Sequence, residues 1–222
     1  MVNAHSFIYN AQMPRPRATS DADLLMAAAR AVSKVGPAKL TLADVAAEAK
    51  VAPATLMQRF GSKRGLLLAL AKLGAGGAEE QFATLKAAHP SPLAALRATA
   101  ECMAGMATSP EELANHLAFL CLDLTDPEFR QYALAHAHSF RAGLQHLADA
   151  AVAAGELLPC DTARLARLLQ EMFNGSLVMW ALYREGAALD WLRQDMEMLL
   201  APYLAESPRG SAARTRGPRK SP

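Results

Sequence analysis

The side chains best suited by type and spacing to a chemical task lie between Leu40 and Leu70, in LTLADVAAEAKVAPATLMQRFGSKRGLLLAL. A short helical pattern opens at Pro53 and turns Ala54, Thr55, Gln58 and Arg59 outward. A glutamine amide matches the adenine edge and a guanidinium fork matches guanine, each through two hydrogen bonds. Thr55 can bond a phosphate or touch a thymine methyl, whereas Met57 offers apolar contact alone. Thr41 and Lys63 open the flanking helical patterns, where backbone N–H groups and the helix dipole favour phosphate. Together these residues suit the reading of double-stranded DNA by a helix-turn-helix. The blander reading is a solvated helix face.

The elements that must hold this set are legible from their caps. Ser20-x-x-Asp23 and Thr41-x-x-Asp44 read as capping boxes. The first helix has the apolar stripe Leu24, Leu25, Ala28, Ala31 and Val32, and Gly36-Pro37 ends it. The second turns Leu42, Val45, Ala46 and Ala49 inward, and Lys50-Val51-Ala52 makes the turn. The third starts on Pro53, where a missing N–H costs nothing, and packs on Leu56 and Phe60. Gly61-Ser62 breaks it, and Ser62 caps a fourth helix. Gly74, Gly76 and Gly77 then predict a hinge.

Beyond the hinge, Ser91-Pro92, Ser109-Pro-Glu-Glu112, Asp126-Pro and Asp161 each open a helix, and a last one runs from about Ala187 to Tyr203. The expected class is all-α, with about nine helices. Residues 1–19 read as a disordered arm, 20–73 as the DNA-binding domain, 74–205 as a helical body and 206–222 as a disordered basic tail. Charge follows the same division. Residues 14–73 hold ten Lys and Arg against four Asp and Glu, residues 74–205 eight against sixteen, and residues 206–222 five against one. A basic module on an acidic body suits a protein that places one end on a polyanion.

Residues Leu40–Phe60 followed by Ser62-Lys63-x-x-Leu66-Leu67 resemble the tetracycline-repressor-like (TetR) family of bacterial transcription regulators. The segments Met179–Tyr183, Trp191–Met196 and Leu200–Leu204 look like that family's ending. Three positions depart from its pattern. Lys50 stands where glycine is usual, Ala52 where a capping serine is usual, and Met57 where a tyrosine is usual. The resemblance assigns Thr41 and Lys63 to DNA-backbone contact, and Pro53 and Met57 complete the set of residues expected to touch DNA.

One such helix reads few bases, so a homodimer on a palindromic operator is expected, with modules about one DNA turn apart. The last two helices offer the pairing surface, through Leu168, Met172, Gly175, Ser176, Met179, Leu192, Met196, Leu199 and Tyr203. The resemblance points to a four-helix bundle there. It also implies a ligand cavity in the body, for which Met103, Met106, Phe119, Tyr132, His136, Phe140, Phe173, Asn174 and Trp180 are the candidate liners. Such a lining suits a lipophilic or amphipathic effector. The same residues at helical spacing also suit plain core.

No cofactor or metal site is expected. His136 and His138 are two apart and face different ways on a helix. The cysteines, Cys102, Cys121 and Cys160, are scattered, which predicts a reducing compartment. No GxSxG, phosphate loop or paired carboxylates point to an enzyme. No secretory pattern or long apolar span points to export or a membrane, so a cytoplasmic, nucleoid-associated protein is expected. The resulting expectation is a ligand-responsive regulator, most often a repressor in the family resembled. The alternative is a DNA-binding dimeric scaffold with a solid body and no effector.

Overall fold

The computed structural model describes residues 19–106 and 108–205; except for Thr19, the expected arm and tail lie outside them. Short polar side chains start its helices. Ser20 and Thr41 accept the N–H three residues on, and Asp23 and Asp44 accept the cap residues' own N–H groups. Thus α1 (Asp21–Lys39) and α2 (Leu42–Ala49) both open on complete capping boxes. After the turn come α3 (Pro53–Phe60) and then α4 (Lys63–Gly76), which Ser62 caps through the Gly65 N–H at 3.0 Å.

The body begins with α5 (Ala78–Ala88). The next three helices, α6 (Pro92–Ala104), α7 (Pro110–Thr125) and α8 (Pro127–Ala153), each carry proline in the first turn behind Ser91, Ser109 and Asp126. Asp161 caps α9 (Thr162–Tyr183). A final helix, α10 (Ala188–Leu200), runs into a 3-10 turn at Ala201–Tyr203. The described residues are therefore all-α, as expected.

Three details differ from the sequence expectation. The helix α5 was not anticipated, because three glycines in four residues suggested a break. Instead α4 runs through Gly74 to Gly76, and Gly77 keeps right-handed dihedrals (φ −83°, ψ −16°) between α4 and α5. Each glycine costs up to about 1 kcal/mol of helix propensity, which packing against α8 can offset. Ser109-Pro-Glu-Glu112 has the spacing of a capping box but forms only half of one: Ser109 accepts the Glu112 N–H, while Glu112 accepts from the Thr108 N–H and hydroxyl. And α1 breaks at Gly36 (φ 75°), as predicted, but regains one turn through Pro37 to Lys39.

Two cores form. Leu24, Leu40, Val45, Leu56 and Leu66 are wholly or nearly wholly buried in the first, joining α1 to α4. Phe173, Leu144, Leu169, Leu192 and Met196 centre the second, which joins α5 to α10. The two are not independent. Phe129 of α8 is buried in the first core. Arg64, in the first turn of α4, stands 5.5 Å over the Phe129 ring, bonds Asp126 at 2.7 Å and pairs with Glu128. On the far side Asn115 of α7 donates to the Ser33 carbonyl at 2.7 Å, and His116 shares a 2.9 Å hydrogen bond with the Ser33 hydroxyl. A Cβ on Gly36 would stand 2.7 Å from Asn115 Oδ1, so glycine serves both the left-handed turn and this close approach. Helices α7 and α8 thus grip α1 and α4 from two sides.

Candidate nucleic-acid interface

The turn before α3 is built against local preference. Lys50 ends α2 in the left-handed region (φ 56°, ψ 43°), with its N–H bonded to Ala47 O and that of Val51 to Ala46 O. A non-glycine residue there costs roughly 1 kcal/mol or more. Ala52 gives α3 no side-chain cap, so Pro53 at the first turn is the remaining start signal. Both departures read from the sequence therefore take physical form in the turn.

Helix α3 buries Leu56 completely and Phe60 in part, which fixes its orientation. Pro53, Ala54, Met57, Gln58 and Arg59 are then exposed, and Thr55 is half-buried. Gln58 makes no side-chain hydrogen bond among the described residues, leaving its amide free to pair. Arg59 is different. Its Nη1 donates to Asp21 Oδ1 at 2.5 Å, across to the first turn of α1. Sequence reasoning missed Asp21, because a contact between residues 38 apart leaves no local signal.

The two phosphate candidates are also engaged. The Thr41 hydroxyl accepts from the Asp44 N–H at 3.1 Å and donates to its carboxylate at 2.7 Å, which holds the Asp44 carboxyl below its ordinary range. Lys63 Nζ donates to the Ala38 carbonyl at 2.8 Å, tying α4 to the end of α1. Lys63 and Thr41 thus flank the terminal turn of α1. Nearby, Lys34 and Arg30 both bond Glu48 at 2.7 Å and lower its pKa. These pairs are exposed, and water screens them. They can exchange for phosphate at little cost.

The candidate ligand residues do not gather in one place. Met106, Phe119, Tyr132 and His136 line a cleft of about 350 Å³ between α1, α4, α7 and α8. Met103, Phe140, Phe173 and Trp180 lie instead in the buried core of the body, where Phe140 meets Phe82 and Phe173 edge-on. Asn174 is exposed and bonds the Gln170 carbonyl of its own helix. Helical spacing explains the scatter: large apolar residues at that period fill a core as readily as they ring a cavity.

The proposed pairing residues divide in the same way. Leu192, Met196 and Ser176 face inward, the Ser176 hydroxyl donating to Asp195 at 2.5 Å. Leu168, Met172, Leu199 and Tyr203 are half-buried, and Gly175 and Met179 are exposed. Beside them stand three residues not anticipated, Leu182, Tyr183 and Met198, exposed by 70%, 63% and 72%. Tyr183 stacks on Trp191 at 5.8 Å. Leu168, Met172, Gly175, Met179 and Leu182 recur at three- and four-residue spacing, a signal that was present in the sequence.

A short helix closely supported by two others, with an exposed amide and a neighbouring guanidinium, defines a DNA-binding helix-turn-helix. Residues 24–70 match the family described as bacterial regulatory proteins, tetR family. The match covers the helix-turn-helix module and marks residues 24–70 as a tetR-type DNA-binding segment. The family so described is one of bacterial regulatory proteins.

No curated protein matches the chain. Solved structures share its fold. A TetR transcription regulator from Haloarcula marismortui is 17% identical with a TM-score of 0.69, covering 83% of this chain and 97% of that one. The transcriptional regulator FadR from Bacillus subtilis, in complex with stearoyl-CoA, is 15% identical with a TM-score of 0.60, covering 82% and 98%. SmeT, the repressor of the Stenotrophomonas maltophilia multidrug efflux pump SmeDEF, is 21% identical with a TM-score of 0.60, covering 86% and 93%. No helix among the described residues is long and apolar enough to cross a membrane.

Proposed function

We propose that the chain is a homodimeric repressor of a palindromic operator, released by a small-molecule effector. The domain from 20 to 73 binds DNA. The part from 74 to 205 pairs and senses, and the protein works on the nucleoid in the cytoplasm. Gln58 and Arg59 read bases, helped by Ala54, Thr55 and Met57. Thr41, Lys63 and the Pro53 end of α3 contact the backbone. The observation that carries this reading is the exposed face of α3, whose unpaired Gln58 stands beside an Arg59 held only by a surface pair. Repression and an effector rest on likeness to SmeT, a repressor, and FadR, a regulator that holds stearoyl-CoA. Pairing rests on the apolar stripe from Leu168 to Leu182, extended by Met198, which water would otherwise cover.

Selection of bound sequences from random duplexes tests the reading. The expected product is an inverted repeat with half-sites spaced by one helical turn or a multiple, bound by two copies of the chain. Enrichment of no sequence, or of a single unrepeated site, would overturn it. A second reading has its own support. The packing of Phe140, Phe173 and Trp180 into the body core favours a dimeric scaffold without an effector. The use made of the cleft between α1 and α8 separates the two.

A further inference from the structure

The cleft that Met106 and Phe119 share lies against the DNA-binding module rather than inside the body. Each of four helices gives it one face. Ala29, Val32 and Ser33 come from α1, and Leu70, Ala71, Gly74 and Ala75 from α4. The third face, on α7, is His116, Phe119 and Asp123, spaced at three and four. Tyr132, Ala133 and His136 on α8 form the fourth. The volume, about 350 Å³, lies at the small end of ligand-binding cavities.

Its polar groups are unevenly satisfied. His116 already bonds Ser33, and His136 donates to the Gly74 carbonyl at 3.1 Å. Asp123 has no hydrogen-bond or ion-pair partner among the described residues. It is the one carboxylate on the wall, and no lysine or arginine lines the cleft. Burial pushes its carboxyl up to about 6, while burial keeps His116 from ionising readily. A half-buried carboxylate in apolar surroundings lacks both its water and a counter-ion. Phe119 and Tyr132 add aromatic faces of the kind that favour organic cations.

We propose that this cleft binds a small organic cation, an apolar body carrying an ammonium or amidinium group, with Asp123 as its counter-ion. The proposal deepens the effector reading above and rests on it for its regulatory meaning. Because α1 and α4 form two of the four walls, a ligand seated there pushes directly on the elements that carry α3. It needs no relay through the body core. Ligand and operator then compete for the position of α1 against α7, and each weakens the other by the same factor.

The test is a calorimetric titration of the full chain, without DNA, using three probes of one size: benzyltrimethylammonium, benzyl alcohol and phenylacetate. The expected order places the ammonium at least tenfold ahead of the alcohol, with phenylacetate weakest. Asp123→Asn should weaken the ammonium at least tenfold and change the alcohol less than twofold. Ala133→Phe, which fills the cleft and leaves Asp123 in place, should abolish binding of both. If the aspartate variant does not fold, the probe order and the filled variant still decide. Absent ammonium binding, phenylacetate preferred over ammonium, or full affinity in either variant would overturn the proposal. Since DNA is left out, such a failure leaves the DNA-binding reading standing. Failure of the duplex selection, conversely, leaves the cation site standing.

Discussion

The DNA-binding module and the body are built from the same kind of helix but differ in how much of each helix is spoken for. Helix α3 has eight residues and one fully buried side chain, so burying Leu56 dictates where every other residue points. Helix α9 has 22 residues and is apolar on more than one side. Leu165, Leu169, Phe173 and Leu177 go to the core, while Leu168, Met172, Met179 and Leu182 stay near the surface. A narrow apolar stripe specifies a face. A broad one specifies only that the helix is packed on something.

The largest effect should come from the body. Phe173→Ala removes a side chain with no exposure from the contact between α8 and α9. The expected loss is ~3–5 kcal/mol, read by chemical denaturation. Were the loss under about 1 kcal/mol, Phe173 would be a cavity liner after all, and the contrast between the two regions would weaken.

The next test concerns the module. Arg59→Ala should weaken operator binding by ~1–3 kcal/mol and relax one base preference. Asp21→Asn should act in the opposite sense, tightening binding a few-fold, because it frees the guanidinium and removes a negative charge near the DNA. The pair itself is worth only ~0–1 kcal/mol, so the base contact should win the competition. Unchanged preference in Arg59→Ala, by competition against variant duplexes, would reduce Arg59 to a strut between α3 and α1.

The junction between the regions offers a test by pH. Asp123 has a folded pKa raised to about 6 from the ordinary 3.8. A raised carboxyl favours the fold when protonated, so its stabilising share is present below the unfolded pKa and is lost as pH rises through about 6. At pH 7 the ionised form is therefore a burden, and Asp123→Asn should be the more stable protein. Solvent still reaches the carboxyl, which keeps the gain on the order of 1 kcal/mol. The gain should shrink between pH 6 and 4 in thermal unfolding curves. A gain that stayed constant would mean the carboxyl is freely solvated.

Much of this was legible before the structure. All eight helices that open on Ser20, Thr41, Pro53, Ser62, Ser91, Ser109, Asp126 and Asp161 were readable, because caps are local and chemically distinct. The helix α5 was not, since its neighbours Gly74 to Gly77 look like a break until α8 supports them. The exposed arc of α3 followed from Leu56. The pairing of Arg59 with Asp21, and the gathering of Phe119, Asp123 and Tyr132 against α1, depend on contacts between distant segments. No local periodicity carries that information. Which residues of α9 and α10 face inward was hidden for a different reason: leucine and methionine occur on both faces.

Lys50 gives the smallest effect and, within the module, sets the preference of the fold against the needs of binding. Its φ of 56° is a conformation that glycine adopts without strain. Lys50→Gly should remove that strain, while the greater freedom of glycine in the unfolded chain takes part of the gain away. The net stabilisation should be a few tenths to about 1 kcal/mol. DNA binding should move the other way. Lys50 is exposed at the turn that leads into α3, and a cation there that meets a phosphate contributes about 0.9 to the slope of log affinity against log salt. If the glycine variant is more stable but binds with a shallower slope, the lysine is retained for DNA against the preference of the fold. If the slope does not change, Lys50 meets no phosphate, and nothing in the turn explains its strain.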